Sequence, residues 1–518
     1  MKHTVKYIVL LGLIAGAVLH QSCNVDIPAY TSYDPYLYSS MDETGGDWEL
    51  IYLTGTNLFE IPEPKDITSS EYLAELEELK NYNSALSEEE LAAIEYWGNN
   101  SMIRWMEIAE ELTAKYNLAP APDANGEYSV PDPVFPELYP YFPFSNPPYS
   151  CRAYAYLSVA TYDALITTWH YKYLYNRPAP YKTDVSIQPE LPDNDIPSFP
   201  SEDAVIASVA QELLTYLFPL EVNYINEKAD ELRNMRKWAG MNVQSDIDAG
   251  DSIGKTIAEI FIGRAKTDSM KFAQVEEYEY PVFETNADLL FGDQWPHWEN
   301  LETPQRPIGI TPKFGHVSPW FIPSVEAVRP GPPPAFFSPE YETAKNELID
   351  LTKKTTKEQE RIAFYWGDGF STYTPAGHWN TIAIDYIVED KLNPLRTARV
   401  YAYLNAAMMD AGISCWDTKY YYMYPRPPQA DENIKCLFGV PNFPSYTSGH
   451  STFSAAAATV LGYIFPADVN TFNEYAKEAS DSRIYSRIHF RFDCEVGLEV
   501  GTNIGNYAVE VAKVDGAD

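Results

Sequence analysis

A six-residue string does most to limit what this chain can fold into. Arg152-Ala-Tyr-Ala-Tyr-Leu157 returns as Arg399-Val-Tyr-Ala-Tyr-Leu404, 247 positions later (399 − 152). The same spacing carries Asp163-Ala164 to Asp410-Ala411, and Trp169-x2-Lys172-Tyr173 to Trp416-x2-Lys419-Tyr420. It also carries Arg236 to Arg483, and Asp246-x3-Gly250-x3-Gly254 to Asp493-x3-Gly497-x3-Gly501. Nearer the N-terminus, the capping box Ser87-Glu-Glu-Glu90 before Trp97-Gly98 is answered by Thr356-Lys-Glu-Gln359 before Trp366-Gly367, at a spacing of 269 (356 − 87). A Pro-rich insertion between Asn117 and Pro148 accommodates the difference of 22 (269 − 247). Self-similarity on this scale means two copies of one supersecondary unit. Within each copy apolar residues recur at helical spacing, as at 204–217, 247–262, 451–464 and 495–511, and strand-like alternation is scarce. The expected fold class is all-α, two tandem related helical bundles.

The expected segments are an export signal at 1–23, an N-terminal arm at 24–71, a first, degenerate bundle at 72–280, a Pro- and aromatic-rich connector at 281–338, and a second bundle at 339–518. Lys2 and Lys6 precede an apolar run at 7–19, too short to span a bilayer, and Ser22-Cys23 follows. The stretch resembles a lipoprotein-type signal peptide, which implies Cys23 as the lipidation site; plain secretion is the alternative. The expectation is an exported protein, lipid-anchored in the bacterial cell envelope (periplasmic or cell surface), that meets the membrane only through its anchor. Cys151, Cys415, Cys436 and Cys494 either pair, in one of three ways, or stay reduced. A net charge of −37 disfavours nucleic acid as a partner. It leaves a local anion site possible, because surface charge is screened beyond about 8 Å in physiological salt.

The chemistry concentrates in the second copy. Gly449-His450 opens the helical pattern at 451–464, so free amides and the positive end of the dipole face whatever precedes it; Ser448 adds a hydroxyl. His489 and Asp493 stand four apart, a spacing that predicts one helical face, with the carboxylate on Nδ1–H and Nε2 left with its lone pair. Lys419, Arg426 and Arg483 supply positive charge, each worth on the order of 4 kcal/mol to a unit anion at about 4 Å and an effective dielectric of 20. A divalent metal on the His/Asp pair is disfavoured by those cations, and an ordinary ion-pair network is the bland alternative. The first copy argues against the bland one. It keeps Trp169, Lys172, Arg177 and Arg236, yet has Glu202-Asp203 at the helix start and Asn242 where the second has His489. Asp368, in a Trp-Gly-Asp-Gly turn, is expected to pair with one of the site arginines.

Lys419-x6-Arg426-Pro427, Ser448-Gly449-His450 and Ser482-Arg483-x5-His489-x3-Asp493 together resemble the three-part signature of the vanadium-dependent haloperoxidase and type-2 phosphatidic acid phosphatase superfamily, in its soluble bacterial haloperoxidase-like branch. The resemblance implies that Lys419, Arg426, Ser448, Gly449 and Arg483 hold an oxyanion. His489 would be the apical vanadium ligand, or in a phosphatase the nucleophile that becomes phosphohistidine. His450 would be the acid–base and Asp493 the group that orients His489, with Trp416 and Phe443 resembling the chloride- and iodide-type peroxidase pockets. The implied activity is oxidation of halide by hydrogen peroxide with vanadate as cofactor. One alternative is an acid phosphatase acting on a phosphate ester with no vanadate; another is a non-catalytic oxyanion-binding surface lipoprotein. The intact His450 speaks against the last, since binding alone needs no proton-transfer group.

Overall fold

A computed structural model describes residues 31–56, 61–117, 144–275, 277–292, 296–302 and 309–518. Pro35–Asp518 form one compact unit; of the other, Met1–Asp34, only the irregular residues 31–34 are described. The export signal and Cys23 lie outside the described residues. Among those residues no strand forms, and no helix is long and apolar enough to cross a membrane.

The first half contains α1 (Ser70–Asn83), α2 (Glu88–Trp97), α3 (Ser101–Tyr116), α4 (Pro147–Tyr175), α5 (Glu202–Leu217), α6 (Val222–Trp238) and α7 (Gln244–Thr267). After α8 (Pro281–Phe291), the second contains α9 (Pro339–Lys354), α10 (Lys357–Tyr365), α11 (Thr374–Glu389), α12 (Pro394–Tyr422), α13 (Gly449–Ile464), α14 (Val469–Tyr485) and α15 (Arg491–Ala512). Both expected capping boxes close, Ser87 with Glu90 and Thr356 with Gln359. The two halves follow one order, and their long helices keep the 247 spacing.

At the centre, α4 packs along α12. Each has 29 residues, starts from an Asn cap with proline in its first turn, and ends on a left-handed residue, Asn176 or Met423. Nearly every side chain on both is buried, as expected of helices enclosed by protein on all sides. Paired polar contacts pin them. Asp163 accepts the backbone N–H groups of Ile51, Tyr52 and Leu53, and Asp410 accepts those of Trp320, Phe321 and Ile322. Arg152 binds Asp268 and the Ala265 carbonyl, and Arg399 binds Asp515 and the Ala512 carbonyl. The arm wraps across to the second half, where Asp42 meets Arg396 and Tyr36 donates to the Leu392 carbonyl. The four cysteines Cys151, Cys415, Cys436 and Cys494 are free.

Candidate functional site

The site is assembled where α12, α13, α14 and α15 meet. Ser448 caps α13: its Oγ accepts from the Ser451 N–H, and its own N–H donates to the Asp493 carbonyl at 2.9 Å. That approach depends on glycine. A Cβ on Gly497 would lie 2.8 Å from the Ser451 Cβ and 3.0 Å from the Ser448 carbonyl, so a larger residue would push α15 away from the start of α13. Gly449 is different. A Cβ there would meet only the Trp416 ring at 3.9 Å and the Phe453 ring at 4.0 Å, ordinary contacts. Neither packing nor backbone geometry requires glycine at 449.

His489 does not share a helical face with Asp493, as its spacing suggested. It lies in the turn between α14 and α15, before the cap residue Phe490. The pair forms because Asp493, in the first turn of α15, folds back to cap it. Asp493 Oδ2 accepts from the Phe490 N–H at 3.0 Å, from Ser445 Oγ at 2.5 Å and from His489 Nδ1 at 3.1 Å. The Nδ1–H tautomer follows, and Nε2 keeps its lone pair. Arg426 Nη1 lies 2.9 Å from that Nε2 and also donates to the Ile488 carbonyl, while Arg426 Nε donates to the Phe443 carbonyl at 3.0 Å. Arg426 Nη2 is buried with no hydrogen-bond partner. Burial, then the charges of Arg426, Lys419 and Arg483, hold the His489 imidazole well below its ordinary pKa, so it is neutral. All three cations act on one imidazole, so the structure brings together the groups the sequence singled out.

Like Arg426, the other two cations spend donors on the backbone. Lys419 Nζ donates to the carbonyls of Pro444, Ser445 and Thr447 at 2.8, 2.8 and 2.5 Å. Burial foremost, with Arg426, pushes it down to about 7. Arg483 donates to Ser482 Oγ and to the carbonyls of Trp366 and Ala363. Burial lowers it to about 10. With its guanidinium engaged by these neutral acceptors, Arg483 does not form the expected ion pair with Asp368, and no other site arginine does. Asp368 instead lies between two histidines: Oδ1 is 3.0 Å from His378 Nδ1 and Oδ2 is 3.3 Å from His450 Nε2. His378 was not picked out by the sequence reading; Ala376-Gly377-His378 resembles a chance echo of Ser448-Gly449-His450. The available signal was its place one helix after the Trp-Gly-Asp-Gly turn.

Trp416 and Phe443 face each other with ring centroids 4.8 Å apart. Lys419 Nζ and the Arg426 guanidinium lie 5.1 and 5.0 Å from the centre of the Phe443 ring.

The first half shows what the same cradle does with an acidic helix start. Glu202, at the position of Gly449, reaches Lys172 Nζ at 2.7 Å and Arg236 Nη2 at 3.2 Å. Asp203, at the position of His450, reaches Arg236 Nη1 at 2.9 Å. A carboxylate therefore bridges the lysine and arginine that correspond to Lys419 and Arg483. Gly449 has no side chain with which to do so.

The PAP2 superfamily model matches residues 400–514, which contain Lys419, Arg426, Ser448-Gly449-His450, Arg483, His489 and Asp493 but neither Asp368 nor His378. The vanadium chloroperoxidase of Curvularia inaequalis is 24% identical over 399 residues, covering 64% of this chain and 63% of that protein, so the match spans less than two thirds of its length. Among solved structures, the first bacterial vanadium-dependent iodoperoxidase is similar over 79% of this chain and 96% of its own, with a TM-score of 0.57 and 22% identity. A holo-type bacterial vanadium-dependent chloroperoxidase is similar over 74% of this chain and 93% of its own, with a TM-score of 0.52 and 14% identity. Residues 400–514 thus match the PAP2 superfamily, and the chain has the all-α fold of the vanadium haloperoxidases.

Proposed function

We propose that the protein is a vanadate-dependent haloperoxidase-like enzyme that oxidises halide with hydrogen peroxide. The observation that carries this reading is the contrast between Glu202 and Gly449. Where the first half places a carboxylate between a lysine and an arginine, the second has the same two cations, a glycine and a neutral imidazole. The unpartnered Arg426 Nη2 supports a fit to an oxyanion, because a buried guanidinium N–H without an acceptor is costly. Vanadate would be held by Lys419, Arg426, Arg483, Ser448 and the amides at Gly449, with His489 Nε2 as its protein ligand. When bound, that group supplies a Lewis-acidic centre that activates peroxide toward halide. The chain's own work is to position and to move protons. Asp493 keeps the His489 lone pair on Nε2, His450 exchanges a proton with the bound oxygen atoms, and Trp416 and Phe443 restrict water beside them.

An acid phosphatase is the second reading, favoured by the PAP2 match and by a cradle that suits phosphate equally well. Its step would be attack of His489 Nε2 on phosphorus, with His450 giving its proton to the departing alcohol. Addition of orthovanadate to the purified protein separates the two. Gain of iodide oxidation supports the peroxidase, whereas hydrolysis of p-nitrophenyl phosphate that vanadate inhibits replaces it with the phosphatase. We further propose export with lipid anchoring at Cys23, which loss of membrane association in C23A would support and unchanged fractionation would reject.

A further inference from the structure

His378 is buried on α11, its ring stacked on Trp366 with centroids 4.3 Å apart and flanked by Tyr365 at 4.9 Å and Tyr373 at 5.9 Å. Three aromatic neighbours fix the plane of the imidazole and with it the direction of Nδ1, which lies 3.0 Å from Asp368 Oδ1. Asp368 is on a left-handed turn residue (φ 43°) and is itself buried. Its second oxygen is 3.3 Å from His450 Nε2, within ion-pair range, although the two atoms do not meet as a hydrogen bond. The corresponding stretch of the first half has Asn99 after Trp97-Gly98, and no histidine on α3. The His378–Asp368 pair is present only in the half that carries His450.

We propose that His378 is a positioning residue for the reaction at His450. Its Nδ1–H clamps one oxygen of Asp368 so that the other faces His450 Nε2, which selects the Nε2–H tautomer and leaves Nδ1 to exchange the proton with the bound oxyanion. The proposal rests on the oxyanion site being catalytic, as argued above. The proton balance is simple. His450 Nδ1 takes a proton from the incoming peroxide, the resulting imidazolium is held against the Asp368 carboxylate, and the same nitrogen returns the proton to the oxygen that leaves as water, the other oxygen departing with the oxidised halide.

The surroundings agree with such a clamp. Burial alone would raise the Asp368 carboxyl, but the His378 hydrogen bond and the proximity of both histidines outweigh it and hold it well below the usual range. Burial and the Arg483 charge from α14 push His450 down to about 4, opposed by Asp368. The other titratable groups facing the cluster are Tyr365 from α10, Tyr373 from the following turn and His489 from the turn before α15. None of these supplies a second anion. Asp368 is therefore the counter-charge available to a His450 imidazolium, and its orientation matters.

The test compares three substitutions of His378 in the full chain. An Asn amide places an N–H donor where Nδ1 stood, a Gln amide carries it one methylene too far, and Phe keeps the ring stack without a donor. Nitrogen-15 NMR of histidine-labelled, anion-free protein, with H450Q to assign the signal, reads the His450 tautomer and its titration directly. The expected result is a wild-type Nε2–H tautomer in H378N, and a mixed tautomer with a lowered His450 pKa in H378F and H378Q. Orthovanadate affinity, followed by calorimetry, should stay within about threefold in all of them, while kcat for iodide falls by about tenfold in H378F with KM unchanged, a fraction of what general acid–base catalysis supplies. Because the effect runs through Asp368, H378F added to D368N should shift the His450 signal no further than D368N alone. If H378F does not fold, H378Q serves in its place. A His450 signal that is unchanged or raised in H378F or H378Q overturns the proposal. A wild-type protein that never oxidises iodide sinks the functional reading instead, and leaves the titration result standing.

Discussion

Arg426 Nη1 sits 2.9 Å from Nε2 of His489, so the nitrogen through which this site would bind its ligand is already hydrogen-bonded within the protein. With Nδ1–H directed at Asp493, the imidazole is saturated on both sides and stays neutral. Removing the ring therefore removes the lone pair that faces Arg426. H489A is expected to lower iodide oxidation and phosphate-ester hydrolysis by at least about 10²-fold, with calorimetric vanadate affinity falling alongside. Turnover retained in H489A would take His489 out of the site.

Glu202 supplies the design of a second test. Installing a carboxylate at the corresponding position, Gly449→Glu, should satisfy Lys419 and Arg483 as Glu202 satisfies Lys172 and Arg236. Binding of vanadate or phosphate is expected to fall below detection in calorimetry, while Tm is unchanged or higher. G449A, whose Cβ meets only ordinary contacts, serves as the control that the fold accepts a side chain there. Anion binding undiminished in G449E would show that the anion sits elsewhere.

Lys419 sets the pH dependence. Its folded pKa, about 7, lies below the ordinary 10.5 because burial disfavours the ammonium. Between those values the unfolded chain binds more protons, so this group lets stability rise as pH climbs from about 7 toward 10.5. A bound anion pulls the ammonium back, so anion binding above pH 7 takes up a proton and affinity falls as pH rises. Sulfate, whose charge is constant across this range, is the probe. Calorimetry in buffers of different ionisation heat should show proton uptake at pH 8 that vanishes in K419M.

Asp410 and Asp163 give a stability prediction independent of the site. Each is buried and accepts three backbone N–H groups, from 320–322 and 51–53 respectively. Alanine at either position strands three donors, each worth about 1–3 kcal/mol when buried. Both D410A and D163A are expected to lose at least about 3 kcal/mol in urea unfolding, and by similar amounts. A loss under about 1 kcal/mol in either would show that water replaces the carboxylate.

The features read correctly from the sequence were those encoded locally. Capping boxes at Ser87 and Thr356, the helix start at Gly449, and the order of the long helices in the two halves are all set by a few adjacent residues or by the 247 spacing. The errors came where partners are backbone carbonyls or lie across a turn. His489 and Asp493 were given one helical face because spacing was the available guide, and a turn of the chain supplies their contact instead. Asp368 was matched with one of the site arginines by charge, yet the donors of Arg483 go to the carbonyls of Ala363 and Trp366, which leave no trace in side-chain identity. The carboxylate thereby freed is the one that meets His378 and His450.

The carboxylates at Glu202 and Asp203 have a kinetic counterpart in the half that lacks them. On the proposed reading Lys419, Arg426 and Arg483 attract an oxyanion at close range, yet the whole chain carries a net charge of −37. An approaching anion is first repelled by the molecule and only then attracted by the cleft. Added salt damps the far repulsion and barely reaches the enclosed cations. Vanadate should therefore load faster as ionic strength increases, with little change in how long it stays.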